Sequence, residues 1–301
     1  MQKVLFRLSL VIVVLFVVGE VVFWISPSDS PINGGEVYKK NDGRISIVAT
    51  IYPLAYLASD LDPVADVTTI VGPGLEPHEY SPTIEDAKKI HDAELLIVNG
   101  GVDSWIDSAS LERNSPTISV LEMLSYPPSD PHVWLDPVLM QNIVQSIGGQ
   151  LELIDPMRAE VIRDNVTRRI AILQGIDDAY RTGLASCQVR EIVSSHNAFD
   201  FLAKRYGFTV DGIAGFSPED EPSASKLVEL TNLIRSHHIT TVFFEELVNP
   251  ALAKTLANET GVKTDVLDAI ESLSSDEAAR LEYSGIMESN LTKLRAAMLC
   301  Q

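Results

Sequence analysis

The sequence predicts an α/β protein of two lobes, each a parallel sheet flanked by helices, joined by one long connecting helix. Short β-rich segments alternate with helical segments of ten or more residues, which is typical of parallel sheets covered by helices. Residues 156–185 have apolar side chains at helical spacing and few turn signals, which predicts the connecting helix. The length of 301 residues favours more than one domain.

In the N-terminal half, residues 45–155, proline signals and β-rich runs predict the elements. Ser81–Pro82 predicts a helix with serine as its N-cap and proline at the first helical position, and Asp136–Pro137 repeats this signal. The predicted strands are residues 45–51, 67–71 and 95–99.

The same alternation continues in the C-terminal half, residues 186–301. Glycines at positions 207 and 261 end two of its helices. The predicted strands are residues 191–195, 209–213, 241–245 and 263–267, and the predicted helices are residues 197–206, 223–236, 250–260 and 278–299.

The first 25 residues predict export. Lys3 and Arg7 precede an apolar run, Leu8–Ile25, which predicts a signal peptide or an N-terminal membrane anchor. The absence of a small-residue cleavage site favours the anchor, whereas Glu20 within the run favours cleavage. Residues 26–44 are predicted to be a flexible spacer. We therefore expect an extracytoplasmic body, either membrane-anchored or, after cleavage, periplasmic or secreted.

Composition excludes several classes of protein. With 23 Lys and Arg against 42 Asp and Glu, the formal charge is −19, which makes a nucleic-acid partner unfavourable. The two cysteines are too few for a four-cysteine zinc ribbon or an iron–sulfur cluster. Outside the cytoplasm, Cys187 and Cys300 are expected to form a disulfide that ties the tail to the second lobe. Two free thiols or a second metal site are the alternatives.

Four donor residues follow predicted strands or stand in proline-containing loops before helices. His78 and His132 belong to the first half, and His196 and Asp268 end strands of the second half. In parallel α/β sheets, ligands bind beyond the carboxyl ends of the strands. Three imidazoles and one carboxylate suit a tetrahedral site for zinc or another divalent transition metal. Because no local metal motif is present, solvated or hydrogen-bonded histidines remain the alternative.

Three segments resemble signatures of one family. Residues 74–82 (GLEPHEYSP) are similar to the G-x-E-P-H-x-Y-x-P segment of the zinc/manganese solute-binding proteins of ABC importers. Residues 130–137 (DPHVWLDP) resemble that family's D-P-H-x-W-x-D-P segment, and residues 195–199 (SHNAF) resemble its third signature. The resemblance extends over about residues 45–299.

The resemblance implies a metal held between two lobes by His78, His132, His196 and Asp268. Histidine at the third position favours zinc, because manganese-type members have glutamate there. The His/Asp-rich loop of many zinc-type members is missing between the first two ligands, so manganese stays possible. Glu76, Glu79 and Asp130 are candidate acceptors that orient the imidazoles.

The predicted function is capture of zinc, or alternatively manganese, and its delivery to an ABC transporter permease in the membrane, by a monomer. No catalytic residues are predicted, because four protein ligands leave zinc no open position. A surface adhesin or metal-sequestering protein on the same scaffold is the first alternative. A metallo-hydrolase is the second, and it requires an open coordination position and a general base.

Overall fold

The first lobe is built on a four-stranded parallel sheet. The computed structural model describes residues 43–106, 113–245, 247–272 and 282–301. The strands stand in the order β2-β1-β3-β4, with Ile47 opposite both Val67 and Leu95. They are β1 (Ser46–Ala49), β2 (Asp66–Thr69), β3 (Leu95–Val98) and β4 (Thr117–Ser119).

Helices and short 3-10 turns cover this sheet. Asp136 caps the longest of these helices by accepting hydrogen bonds from the N–H groups of Val138 and Leu139, as the sequence predicts. The helices are α1 (Tyr52–Leu61), α2 (Ile84–Asp92), α3 (Val120–Leu124) and α4 (Pro137–Ile154). The 3-10 turns are Pro77–Glu79, Ser104–Ile106, Val133–Leu135 and Pro156–Arg158.

The connecting helix α5 (Ala159–Gly183) leads into a second four-stranded parallel sheet, in the order β6-β5-β7-β8. Its strands are β5 (Glu191–Ser194), β6 (Thr209–Gly212), β7 (Thr241–Phe244) and β8 (Lys263–Val266). Its helices are α6 (Asp200–Tyr206), α7 (Ala224–Ser236), α8 (Ala251–Thr260) and α9 (Tyr283–Ala297).

One apolar core connects the two lobes. Its largest cluster contains Ile47 of the first sheet, Leu173 of the connecting helix and Phe243 of the second sheet, all fully buried. Because the cluster is continuous through α5, burial of apolar surface stabilises both lobes together. The predicted fold class, two parallel-sheet lobes joined by one long helix, is confirmed.

Local details differ from the prediction. Helix α2 begins after Thr83, because Thr83 and Asp86 form a reciprocal capping box that Ser81 does not offer. Helix α1 is not predicted, since most of its residues are buried and its apolar run continues that of β1. Strand β4 is also not predicted, and it has three residues.

The predicted disulfide between Cys187 and Cys300 is present. It joins the segment after α5 to the chain end beyond α9 and closes a loop of more than a hundred residues, which restricts the unfolded chain. The predicted export segment 1–25, most of the spacer and the start of the predicted tail helix lie outside the described residues. No helix among the described residues is both long and apolar enough to cross a membrane.

Candidate metal centre

Four side chains from the two lobes converge on one point. His78, His132, His196 and Glu271 each offer one ligand atom, and these atoms all lie within 4.8 Å of one another. Glu271 Oε1 lies 2.9 Å from His132 Nε2, 3.2 Å from His196 Nε2 and 3.5 Å from His78 Nε2. His132 and His196 are fully buried and Glu271 is nearly so. The arrangement is a buried group of three imidazoles and one carboxylate.

The first lobe presents its histidines from short 3-10 turns stiffened by proline. His78 lies in the turn Pro77–Glu79, and its N–H donates to Glu76 Oε1 over 3.2 Å. His132 follows Pro131, and its N–H donates to Asp130 Oδ1 over 3.1 Å. In both cases a carboxylate two residues earlier fixes the backbone of the histidine.

The second lobe uses the ends of its strands. His196 lies two residues beyond the end of β5, and Ser194 Oγ donates to its carbonyl oxygen over 2.7 Å. Glu271 stands on the loop that follows β8. This loop also receives a bond from the first lobe, since Trp134 Nε1 donates to the Ala269 carbonyl oxygen over 2.7 Å.

Two imidazoles have a carboxylate on the nitrogen that faces away from the centre. His132 Nδ1 lies 2.9 Å from Asp130 Oδ1, and His196 Nδ1 lies 2.6 Å from Glu245 Oε1. Such carboxylates keep the proton on Nδ1 and leave Nε2 free as a ligand, which is typical of histidines that bind metals. Glu245 Oε1 also accepts a hydrogen bond from Ser195 Oγ over 2.6 Å.

The centre concentrates negative charge in a buried space. Burial raises the pKa of the Glu271 carboxyl, but its contacts with the three histidines hold this pKa well below its ordinary value. Burial and the charge of Glu271 raise the pKa of Glu76 to about 8. Burial lowers the pKa of His196, but Glu245 and Glu271 outweigh it and bring this pKa well above its ordinary value. A cation is therefore stabilised at this point.

The structure brings three of the four predicted ligands together and replaces the fourth. Asp268 is not a member of the cluster; Glu271 takes that place. Strand β8 ends at Val266, and the following turn directs Asp268 Oδ1 to the N–H of Ile270 at 2.7 Å. The prediction of Asp268 rests on the strand end, and the turn between residues 268 and 271 moves the converging carboxylate three residues further.

Three carboxylates are predicted to orient the imidazoles, and they differ in what they contact. Asp130 contacts the imidazole of His132, and Glu76 contacts the backbone of His78. Glu79 is exposed and contacts none of these imidazoles among the described residues. Glu245 is missed by the sequence reasoning, although its position directly after the strand β7 is a signal that could have found it.

The fold and these side chains together define a two-lobed α/β protein with a buried group of metal-ligating side chains supplied by both lobes. The chain matches the family described as zinc-uptake complex component A, periplasmic, over residues 47–297, and it belongs to this family.

Two similar proteins with zinc-related names support this family assignment. The chain is 32% identical over 311 residues to the high-affinity zinc uptake system protein ZnuA of Bacillus subtilis, covering 95% of this chain and 97% of that protein. It is 34% identical over 282 residues to the zinc-binding lipoprotein AdcA of Streptococcus pneumoniae, covering 85% of this chain and 56% of the relative. The chain thus spans little more than half the length of AdcA.

The structure of the Zn(II)-bound ZnuA-like domain of Streptococcus pneumoniae AdcA is similar to this chain. The TM-score is 0.74 at 35% identity, and the match covers 85% of this chain and 99% of that domain. The laminin-binding protein Lmb of Streptococcus agalactiae, described as a bifunctional adhesin and metal transporter, matches with a TM-score of 0.77 at 26% identity. Its match covers 84% of this chain and 99% of that protein.

Proposed function

We propose that the chain captures Zn²⁺ outside the cytoplasm and delivers it to the permease of an ABC importer. The observation that carries the proposal is the buried cluster of His78, His132, His196 and Glu271. Three imidazoles and one carboxylate are a ligand set that suits zinc, whereas manganese is better served by sites richer in oxygen ligands. The zinc-binding and zinc-uptake names of the relatives support the same cargo.

The cluster suits storage and transfer rather than catalysis. Four protein ligands complete a tetrahedral shell and leave no position for a reacting water, which a zinc hydrolase requires. Each lobe supplies two of the four side chains, so a bound ion connects the lobes directly. A partner that moves one lobe by a small distance would separate the ligands and release the ion.

The proposal includes the organisation of the chain. Residues 1–25 export or anchor the protein, residues 26–44 form a spacer, and residues 45–155 and 186–301 are the lobes on either side of the connecting segment 156–185. The protein is proposed to work as a monomer, because the ligand set is complete within one chain. The extracytoplasmic location is supported by the periplasmic description of the family.

The test is a competition titration of zinc and manganese into the full-length chain in mild detergent, after removal of metal with a chelator. We expect one tightly bound zinc and weaker manganese binding. His132→Ala should weaken zinc binding at least about tenfold, because even the loss of an outer partner of a ligand costs that much. His91→Ala is the matched control, since this histidine is largely exposed and outside the cluster.

Far-UV circular dichroism checks that both variants remain folded. If His132→Ala binds zinc as tightly as the parent, this histidine is not a ligand. If manganese outcompetes zinc on the parent, the proposed cargo is wrong.

One neighbour favours a second candidate function. The Lmb structure carries an adhesin description beside its metal transport, and its fold covers most of this chain. A laminin-binding measurement on the zinc-loaded chain tests adhesion separately, and the absence of saturable binding would remove this candidate.

A further inference from the structure

The glutamate of the centre stands beside a residue with an unusual backbone conformation. Ile270, which precedes Glu271, has a φ of +57° and is completely buried. The left-handed region is unfavourable for a β-branched residue. Neighbouring groups must therefore hold this turn in place.

Asp268 supplies the contact within the turn. Its Oδ1 accepts a hydrogen bond from the N–H of Ile270 over 2.7 Å. A side-chain oxygen that binds the N–H two residues later forms an Asx-turn, which is a common way to stabilise a tight change of direction. The Asp268 carboxylate thus bonds to the residue whose backbone is strained.

Two further side chains fix the backbone of the turn from outside. Asn290 of α9 is fully buried; its Oδ1 accepts from the Asp268 N–H over 3.0 Å, and its Nδ2 donates to the Asp268 carbonyl oxygen over 2.7 Å. Trp134 holds the Ala269 carbonyl oxygen from the first lobe. Residues 268, 269 and 270 are each hydrogen-bonded, so the position of Glu271 follows from theirs.

We propose that Asp268 and Asn290 are positioning residues for the metal centre: the Asp268 carboxylate and the Asn290 amide hold the turn that places the Glu271 carboxylate against the three histidines. This inference rests on the proposed zinc function and deepens it. It assigns to Asp268 an action through the backbone, in place of direct contact with the ion.

The competing role, direct ligation by Asp268, predicts a different response to substitution. Asp268→Asn keeps a side-chain oxygen that can accept from the Ile270 N–H, but it removes the anionic ligand. Asp268→Ala removes both. If Asp268 is a positioning residue, Asp268→Asn should keep most of the zinc affinity and Asp268→Ala should lose it. If Asp268 is a ligand, both variants should lose zinc affinity.

The experiment compares full-length Asp268→Asn, Asp268→Ala and Glu271→Gln in zinc titrations against a chromophoric chelator. We expect Asp268→Asn to bind zinc within about threefold of the parent, and Asp268→Ala to bind about tenfold to a hundredfold more weakly, as for loss of a group that orients a ligand. Glu271→Gln should lose at least as much zinc affinity as Asp268→Ala. Asp265→Ala, on an exposed position of β8, is the matched control and should bind like the parent.

The visible absorption of bound Co²⁺ adds a second measurement, because it reports the ligands around the ion. A residue that only stabilises the fold would leave this absorption unchanged. Co²⁺-loaded Asp268→Asn should keep the visible absorption of the parent, because the four ligands are unchanged. Asp268→Ala should show altered band positions or intensity, because Glu271 is displaced. Asn290→Ala should resemble Asp268→Ala. If Asp268→Ala does not fold, Asp268→Ser keeps a weaker acceptor and should give an intermediate affinity.

Three results overturn the proposal or its basis. Equal zinc loss in Asp268→Asn and Asp268→Ala shows that the charge of Asp268 is required, as for a ligand. Parent-like zinc binding in Asp268→Ala shows that the turn needs no such support. A parent that binds no zinc refutes the proposed function itself, which the titration of the unsubstituted chain reports separately.

Discussion

The two lobes share one strand order but hold their ligands by different means. In the first lobe each histidine is fixed by a carboxylate two residues earlier, Glu76 for His78 and Asp130 for His132. In the second lobe the supports come from distant parts of the chain. Glu245 supports His196 from the residue after β7, and Asn290 supports the Glu271 loop from α9. Local contacts organise one half of the centre and tertiary contacts the other.

This difference explains how much of the centre the sequence can predict. His78 and His132 stand in compact motifs whose proline and carboxylate neighbours already determine the local geometry. Asp130 is predictable for the same reason. Glu245 and Glu271 are not, because their positions depend on which strands are neighbours and on the turn after β8. The family resemblance supplies the ligand-bearing segments, but it does not locate the turn that separates Asp268 from Glu271.

The fold shows the same division between local and tertiary information. The alternation of strands and helices and the cap at Asp136 are local signals, and they predict the architecture and the start of α4 correctly. Helix α1 does carry a local signal, because its buried leucines at positions 54, 57 and 61 recur at helical spacing, but this run directly follows the apolar residues of β1. Strand β4 has three residues and is defined by its pairing with β3. Such a short strand is specified by its tertiary surroundings.

The connecting helix α5 also contacts the two lobes by different kinds of interaction. Toward the first lobe, Arg169 is 2% exposed, its Nε donates to Asp60 Oδ2 over 2.8 Å, and its guanidinium lies 4.9 Å from the ring centre of Tyr56. Toward the second lobe, Tyr206 donates a neutral hydroxyl hydrogen bond to Asp177 Oδ1 over 3.0 Å. Tyr180 of the same helix also donates to the Met287 carbonyl oxygen over 2.7 Å. A buried ion pair on one side therefore corresponds to hydrogen bonds from tyrosine hydroxyls on the other.

The largest effect is expected from breaking the buried ion pair. Asp60→Asn should reduce the free energy of unfolding by about 3 kcal/mol at pH 7, because it leaves the buried Arg169 guanidinium without its counter-charge. Urea denaturation followed by circular dichroism measures this change. Asp178→Asn is the control on the connecting helix, which also carries Arg169: Asp178 pairs with Arg181 at the surface, and such pairs contribute less than about 1 kcal/mol.

The effect of Asp60→Asn should depend on pH in a defined direction. Burial raises the pKa of the Asp60 carboxyl, but its bonds to Arg169 and Arg168 outweigh burial and hold the pKa below its ordinary value. The stabilisation is therefore fully present above the ordinary pKa of an unfolded aspartate, about 4, and is lost as pH falls through the lower folded pKa. A difference between parent and variant that grows on acidification would contradict this assignment.

The next effect compares the local and distant supports of the histidines. Asp130→Asn and Glu245→Gln should each weaken zinc binding by roughly tenfold to a hundredfold. The loss should be larger for Glu245, which also accepts from Ser195 and is more buried than Asp130. Chelator competition measures both, with Glu79→Gln as the control. A larger loss for Asp130→Asn would show that the local support is the stronger one.

The smallest effect is expected where the connecting helix meets the second lobe. Tyr206→Phe removes the hydroxyl that donates to Asp177 but keeps the ring, which lies 5.1 Å from the ring of Tyr180. The free energy of unfolding should fall by about 1 kcal/mol, the usual net contribution of one hydrogen bond, with zinc affinity unchanged. Tyr126→Phe, at a half-exposed ring, is the control. A loss as large as that of Asp60→Asn would show that both lobes depend equally on their contacts with α5. The difference between the two lobes would then be limited to the way in which they hold the metal ligands.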